Sequence, residues 1–328
     1  ALSGFAYQGI LPGELLTVFI AIEFFGQFFA RKVLSYLGLS GAANNFGKIK
    51  ANVCFALVIY CAILKTDLGF PQIGDNLLWS CIFFGLSSIA FKFIPNKFYA
   101  DILSILNLIC GIIGLILSYH GHFVMATMSV MVGQVFDLFD GRMAEKHGGT
   151  RFGPILDDIA DFVSFGLCPG YILFKTGEYY SWLYGLGYIF GVGFRLFRFV
   201  AIDKFRTDLP KGIFNGLPSP AGAAMMLGFC LIIRHEHVMW FITFFVTYLM
   251  VSEIRFAHFG RVIVKKIPKP AFILGSAIFT LFLMYAVKMK DASLFGGTLV
   301  CATAVYMVIG RVMAIQIQKN FPQPAESA

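Results

Sequence analysis

The sequence predicts an all-α, polytopic transmembrane helical bundle. Three observations carry that expectation: a strong apolar bias, apolar runs of bilayer length that recur along the chain, and a lopsided distribution of cations among the loops. Of 328 residues, 58% are hydrophobic and 13% charged, against about 45–50% and about 25% in ordinary soluble domains. The 38 Phe and 34 Gly combine lipid-facing bulk with the small residues through which membrane helices approach closely. Strand alternation at the spacing of a membrane barrel does not recur, so the spans read as helices.

Eleven apolar runs approach the length that a bilayer core of about 30 Å demands. They are Leu11–Ala30, Val53–Leu64, Leu77–Ala90, Ile102–Tyr119, Phe123–Ala144, Pro154–Phe174, Trp182–Val200, Leu217–Ile233, Val238–Val251, Phe272–Val287 and Phe295–Met313. Alternating the loops between two sides gathers 21 of the 26 Lys and Arg on one side. Lys65, Lys175, Arg234, Lys288 and Lys290 fall opposite. The positive-inside rule makes the rich side cytoplasmic. The net charge of +8 therefore reflects membrane orientation, with no arginine-rich or aromatic-interleaved stripe to suggest a nucleic-acid partner. No basic leader with a cleavage pattern opens the sequence, so insertion is expected from the spans themselves. The seven cysteines lie in apolar runs without a CxxC pair and read as small core residues. His120 and His122, and the cluster from Arg234 to His237, read as loops of the far side. Lys265, Lys266 and Lys269 are expected to meet anionic headgroups.

The fifth and sixth runs contain residues that lipid should exclude. Asp137 and Asp140 are three apart, and Gly141 and Ala144 follow at four and seven positions from Asp137, which places all four on one helix face. Gly153, Asp157 and Asp161 repeat every four residues on the next helix. Each such carboxylate costs about 2.5–3.5 kcal/mol on insertion scales, and the cations within these helices are too few to neutralise four. Hard divalent ions, Mg²⁺ or Mn²⁺, are the fitting counter-charge, and two of them about 3.5–4 Å apart can clamp a diphosphate. Gly141 and Gly153 let the backbone come close to a bulky nucleotide. The alternative is that the acids are helix-end residues wetted at the interface. Asp158 falls off the stripe and reads as a polar neighbour.

These positions resemble the signature of the CDP-alcohol phosphotransferase family: DxxDGxxAR, eight residues, then GxxxDxxxD. Asp137, Asp140, Gly141, Ala144, Gly153, Asp157 and Asp161 fill its places. The sequence departs at Glu145, where the family has Arg, and the interval to Gly153 is one residue short; Arg142, Lys146 and Arg151 are the cations nearby in sequence. The resemblance implies a six-helix core, two divalent ions, displacement of CMP, and a homodimer. It also assigns Asp137, Asp140 and Asp157 to metal, and Asp161 to metal and general base. Ile105–Gly111, Ala160–Gly170, Phe194–Phe199, Phe214–Ala223 with its GLPSPA, and Leu249–Phe256 are similar to the integral-membrane (type II) phosphatidylserine synthases. That implies attack of the serine hydroxyl on CDP-diacylglycerol at the cytoplasmic side.

On that reading residues 1–94 form about three extra N-terminal spans, 95–316 the catalytic domain with two C-terminal spans, and 317–328 a cytoplasmic tail. Arg195 and Arg198 end a span on the active side and are candidates to grip the diphosphate or the serine carboxylate, or simply to anchor that end. Asn215 and Ser219 sit in a proline-punctuated turn expected to shape the serine pocket, though Pro218 and Pro220 also suit a helix start. Asn107 is a candidate nucleotide contact or an interhelical hydrogen bond. Arg151 is a candidate diphosphate ligand. Two other functions stay open: a different acceptor alcohol (glycerol 3-phosphate, inositol or choline), and a cation-coupled transporter, against which stand the clustering of the acids at helix ends and the lack of an internal repeat.

Overall fold

In the computed structural model, which describes residues 2–37, 45–64, 71–203, 210, 212–233 and 235–319, each of the eleven apolar runs falls on a helix. Lys65, Lys204, Arg206, Lys211, Arg234 and the tail from 320 lie outside the described residues. The chain divides into two compact units, Ala1–Phe98 and Tyr99–Ala328. The first contains α1 (Leu2–Tyr7), α2 (Gly13–Tyr36, with a π-helical stretch at Phe25–Ala30), α3 (Asn45–Leu64) and α4 (Pro71–Phe93). Its core gathers Leu11, Leu16, Phe19, Leu57, Leu78 and Ile82. Lys50 Nζ and Glu23 Oε1, 2.6 Å apart, neutralise one another between α2 and α3. Cys54 and Cys81 bring their thiols to 3.4 Å.

The second unit runs α5 (Tyr99–Tyr119), α6 (Phe123–His147), α7 (153–176), α8 (Ser181–Ala201), β1 (Ile213–Asn215), α9 (Ser219–Ile232), α10 (Glu236–Val251), β2 (Arg255–Ala257), α11 (Lys269–Lys288) and α12 (Ala292–Lys319). Among the described residues of the whole chain, seven helices are long and apolar enough to cross a membrane. This is a multi-pass integral membrane protein. The helices α9 and α10 are shorter, at 14 and 16 residues.

Helix α5 shows how a membrane helix inverts the soluble pattern. Its buried stripe is small and polar, Ser104, Asn107, Gly111, Gly114 and Ser118, while Ile105, Ile109, Ile112, Ile113 and Ile116 face outward. Lipid solvates the isoleucines as well as a protein core would, so the small face is left for helix contact. There α7 comes so close that a Cβ on Gly111 would collide with the Ser164 backbone. Ser164 Oγ donates to the Asn107 carbonyl at 2.9 Å across that contact. Helix α7 carries a π-helical stretch, Phe162–Leu167, directly after Asp161. Tyr188 Oη on α8 donates to the Phe165 carbonyl at 3.0 Å within it. In contrast, α11 is apolar all round and buries only Ala286.

The all-α class holds, with one short ribbon added between the helices. The three-residue strands β1 and β2 pair antiparallel, Phe214 opposite Phe256. The apolar run at Leu217–Ile233 likewise starts two residues ahead of its helix. Gly216 N donates to Ile254 O and Leu217 N to Leu249 O, both at 2.9 Å, holding an extended turn before Pro218. Gly216 has a φ of +77° and lies against the Met250 carbonyl, a place no side chain fits. Of the cysteines, Cys61, Cys81, Cys168 and Cys230 are buried as expected, whereas Cys301 is exposed.

The close approach at Gly111 generates a test. Gly111→Leu should lower the thermal midpoint in detergent, with an overpacking cost of about 1–3 kcal/mol, whereas Ile113→Leu on the outward face should leave it unchanged.

Candidate active site

The acidic helices end together. The C-terminal half of α6 and the first turns of α7 meet at the end of the bundle where α5 and α9 begin and α8 and α10 finish. The three-residue and four-residue spacings do what helix geometry requires: Asp137, Asp157 and Asp161 each place a carboxylate oxygen within 4.8 Å of the others. Asp140, 4% exposed, turns its Oδ2 to accept from Ser104 Oγ at 2.9 Å. Asn107 Nδ2 donates to Asp161 Oδ1 at 3.3 Å. Asp157 Oδ1 and Asn107 Oδ1 are buried and have no hydrogen-bond partner among the described residues. Buried acceptors left unmade are costly, and crowded carboxylates repel. Both facts mark a place for a hard cation, and carboxylate and amide oxygens suit one.

Above the acids lies a cavity of about 410 Å³. Gly141, Ala144 and Gly153 form low walls, Asp140, Asp157 and Asp158 supply charge, and Phe199 and Val200 close the apolar side. The segment between α6 and α7 is tied to α5: Thr150 Oγ1 donates to Asp101 Oδ2 at 2.7 Å and accepts from Gly153 N at 3.0 Å. Spacing in the sequence does not single out Asp101, Ser104 or Thr150. Ser104 sits one turn before Asn107 on the same face, the one signal that marks it.

Arg195 is 7% exposed. Its Nη1 donates to Ser219 Oγ at 2.6 Å, and its Nε is buried with no partner among the described residues. Its guanidinium stands near enough to Asp161 and Asp137 to feel their charge. Arg198 has a different position. Its Nε meets Asp203 Oδ2 at 3.3 Å, its Nη2 donates to Asn215 O at 2.9 Å and Ser252 O at 3.3 Å, and its Nη1 donates to Val251 O. Asn215 Nδ2 donates to Asp203 Oδ1 at 3.0 Å. Arg198 and Asn215 thus brace the end of α10 against β1. Their hub is Asp203, a residue that no motif or helical spacing marks in the sequence. Arg151 is exposed at the approach to α7.

Glu145 meets a counter-charge from far along the chain. Arg261 Nη2 lies 2.7 Å from Glu145 Oε1, while Arg142 Nη2 donates to the Gly260 carbonyl at 3.0 Å. His258 Nδ1 accepts from Gly260 N at 3.1 Å and Arg261 N at 3.4 Å, capping the short turn. Burial, together with Arg261 and Arg142, pushes His258 down to about 4 from its ordinary 6.5. Tyr306 on α12 donates to the Ala257 carbonyl at 3.2 Å.

Fold and site define an integral-membrane protein with a polyacidic centre buried at one end of its helices. Residues 97–251, which hold the six helices α5–α10, match the CDP-alcohol phosphatidyltransferase family. A relative in Methanocaldococcus jannaschii, named CDP-diacylglycerol–serine O-phosphatidyltransferase, is 32% identical over 161 residues, 49% of this chain and 74% of that protein. A Bacillus subtilis relative of the same name is 29% identical over 161 residues, 47% of this chain and 87% of its own. The archaetidylserine synthase of Methanothermobacter thermautotrophicus is 31% identical over 161 residues, 48% and 68% of the two chains. The chain belongs to the CDP-alcohol phosphatidyltransferase family and is an enzyme of that kind.

Two outcomes follow from the braces. Arg198→Met removes the guanidinium that ties Asp203, Asn215 and the end of α10 together and should cost about 1.5–3 kcal/mol of stability, in keeping with loss of hydrogen bonds from a charged group, read by thermal or denaturant unfolding. His258 is neutral in the folded state, so its contribution is complete above pH 6.5 and is lost as pH falls from 6.5 towards 4. The thermal midpoint of the wild type should fall across that window more steeply than that of His258→Asn.

Proposed function

We propose that this chain transfers the phosphatidyl group of CDP-diacylglycerol to the hydroxyl of serine and releases CMP. The observation that carries this reading is the juxtaposition of the three clustered carboxylates of Asp137, Asp157 and Asp161 with the buried guanidinium of Arg195, whose Nε has no partner among the described residues. One side suits a lipid-linked diphosphate with its cations, the other an acceptor that bears a carboxylate. The relatives support serine: their names differ in the lipid and share that amino acid.

Asp137, Asp140, Asp157 and Asp161 would hold two divalent ions, Mg²⁺ or Mn²⁺. Such ions, when bound, neutralise the diphosphate and stabilise the departing CMP. The chain's own groups do the rest. Asp161, its Oδ1 oriented by Asn107 Nδ2, accepts the proton of the serine hydroxyl as that oxygen attacks the phosphorus carrying diacylglycerol. A positioned general base contributes roughly 10²–10⁴-fold. Arg195 binds the serine carboxylate through Nε, with its fork held by Ser219 Oγ. Arg198 and Asn215 support that pocket through Asp203. Gly141, Ala144 and Gly153 leave room for the nucleotide, and Arg151 is available to the diphosphate. The cation-rich loops favour a cytoplasmic position for this end of the bundle, with entry of the lipid substrate from the inner leaflet. A homodimer, with residues 95–316 as catalytic domain, belongs to the same reading.

A panel of acceptors with purified protein, CDP-diacylglycerol and Mg²⁺ or Mn²⁺ tests the proposal by CMP release. Serine should react; serine failing while glycerol 3-phosphate, inositol or choline reacts overturns the acceptor. Asp161→Asn should lose CMP release by roughly 10²-fold or more with its thermal midpoint retained, and a variant that keeps most activity removes Asp161 as base. Mn²⁺ should raise the thermal midpoint of the wild type and do so much less for Asp157→Asn.

A further inference from the structure

The chain continues well past the family match at residue 251, and one stretch of that continuation returns to the acidic site. After β2 the backbone turns at His258 and lays Phe259–Ile263 against α6. Three contacts fix it there: the His258 cap on Gly260 N and Arg261 N, the Arg142 bond to the Gly260 carbonyl, and a stack of His258 on Phe214 with ring centroids 5.0 Å apart. Gly260 is buried, and a Cβ there would sit 2.9 Å from Leu138 Cδ1 and 3.0 Å from Arg142 Nη2, so the turn lies directly on the helix. The result is to present Arg261. Its Nη2 is 3.9 Å from where a Cβ of Gly141 would stand, over the residue that follows Asp140 and lines the cavity.

Glu145, one helical turn beyond Gly141, holds that guanidinium in place. The pair is open to solvent, with side chains 45% and 59% exposed. Exposed ion pairs are worth about 0–1 kcal/mol, whereas an arginine fork on a phosphate is a stronger, charge-assisted contact. We propose that Arg261 is a substrate-binding residue for the phosphate of a nucleoside-diphosphate-linked lipid, and that Glu145 is the competitor it leaves when that lipid arrives. The inference rests on the proposed function for the presence of such a lipid, and it assigns to a segment outside the family match a direct contact with it. Glu145 then has a function of its own: it keeps a cation poised over Gly141 and sets how tightly the site takes its lipid.

The sign of two substitutions decides. With full-length protein in detergent micelles, Mg²⁺ and no serine, binding of CDP-diacylglycerol is followed by isothermal titration. Arg261→Ala should weaken binding roughly tenfold, in keeping with loss of one charged hydrogen-bonding partner, and Arg261→Lys less. Glu145→Gln, which frees the arginine, should tighten it, and the gain should vanish in Glu145→Gln/Arg261→Ala. A purely structural salt bridge moves both single variants in the same direction, so weakening by Glu145→Gln, or unchanged binding in Arg261→Ala, overturns the proposal. Because serine is left out, an error in the acceptor cannot produce either result. Wild-type protein that takes up no CDP-diacylglycerol under these conditions overturns the lipid reading itself, and Arg261 as its ligand with it.

Discussion

Four carboxylates set into helices made for lipid are the constraint from which the rest of the second unit follows. Each is costly in hydrocarbon, and their mutual repulsion adds to the cost. The helices respond by turning small and polar residues inward. Ser104 and Asn107 on α5 reach Asp140 and Asp161, and the absence of a side chain at Gly111 lets α7 approach until Ser164 bonds the Asn107 carbonyl. Large aliphatic side chains are displaced to the outside, where lipid receives them without penalty. The π-helical stretch after Asp161 belongs to the same compromise, since local π geometry often accompanies functional sites. Asp161 stays on the inner face before it, and Tyr188 bonds to the Phe165 carbonyl within it.

A second layer fixes the cations. Arg195 and Arg198 are three residues apart on one helix, yet they are used differently. Arg195 is buried beside the acids, and its Nε has no partner among the described residues. Arg198 puts its donors on Asp203 and on the carbonyls of Asn215, Val251 and Ser252, so that it ties the end of α10 to the short ribbon β1–β2. A charged group that is fully satisfied by the protein is a strut; one left partly unsatisfied next to a cavity is available to a ligand. The ribbon in turn aims the His258 turn, and α12 secures it through Tyr306 and the Ala257 carbonyl. The C-terminal segment is thereby part of the site's rim.

The sequence by itself determined the class of structure and the centre of its chemistry. Apolar runs located the helices because a bilayer imposes length and composition on any segment that crosses it. The spacings 137/140 and 157/161 placed carboxylates on single faces because helix geometry leaves no other choice. Boundaries and irregular pieces were less legible: the β1–β2 ribbon is six residues of backbone pairing, too short for any periodic signal, and the start of α9 was shifted by bonds from Gly216 and Leu217 to residues more than thirty positions away. Tertiary structure alone decided which charges meet. Arg198 met the Val251 carbonyl, Thr150 met Asp101, and Arg261 met Glu145, the last across 116 positions. Such pairings depend on where loops return in space, and local spacing in a sequence carries no record of that.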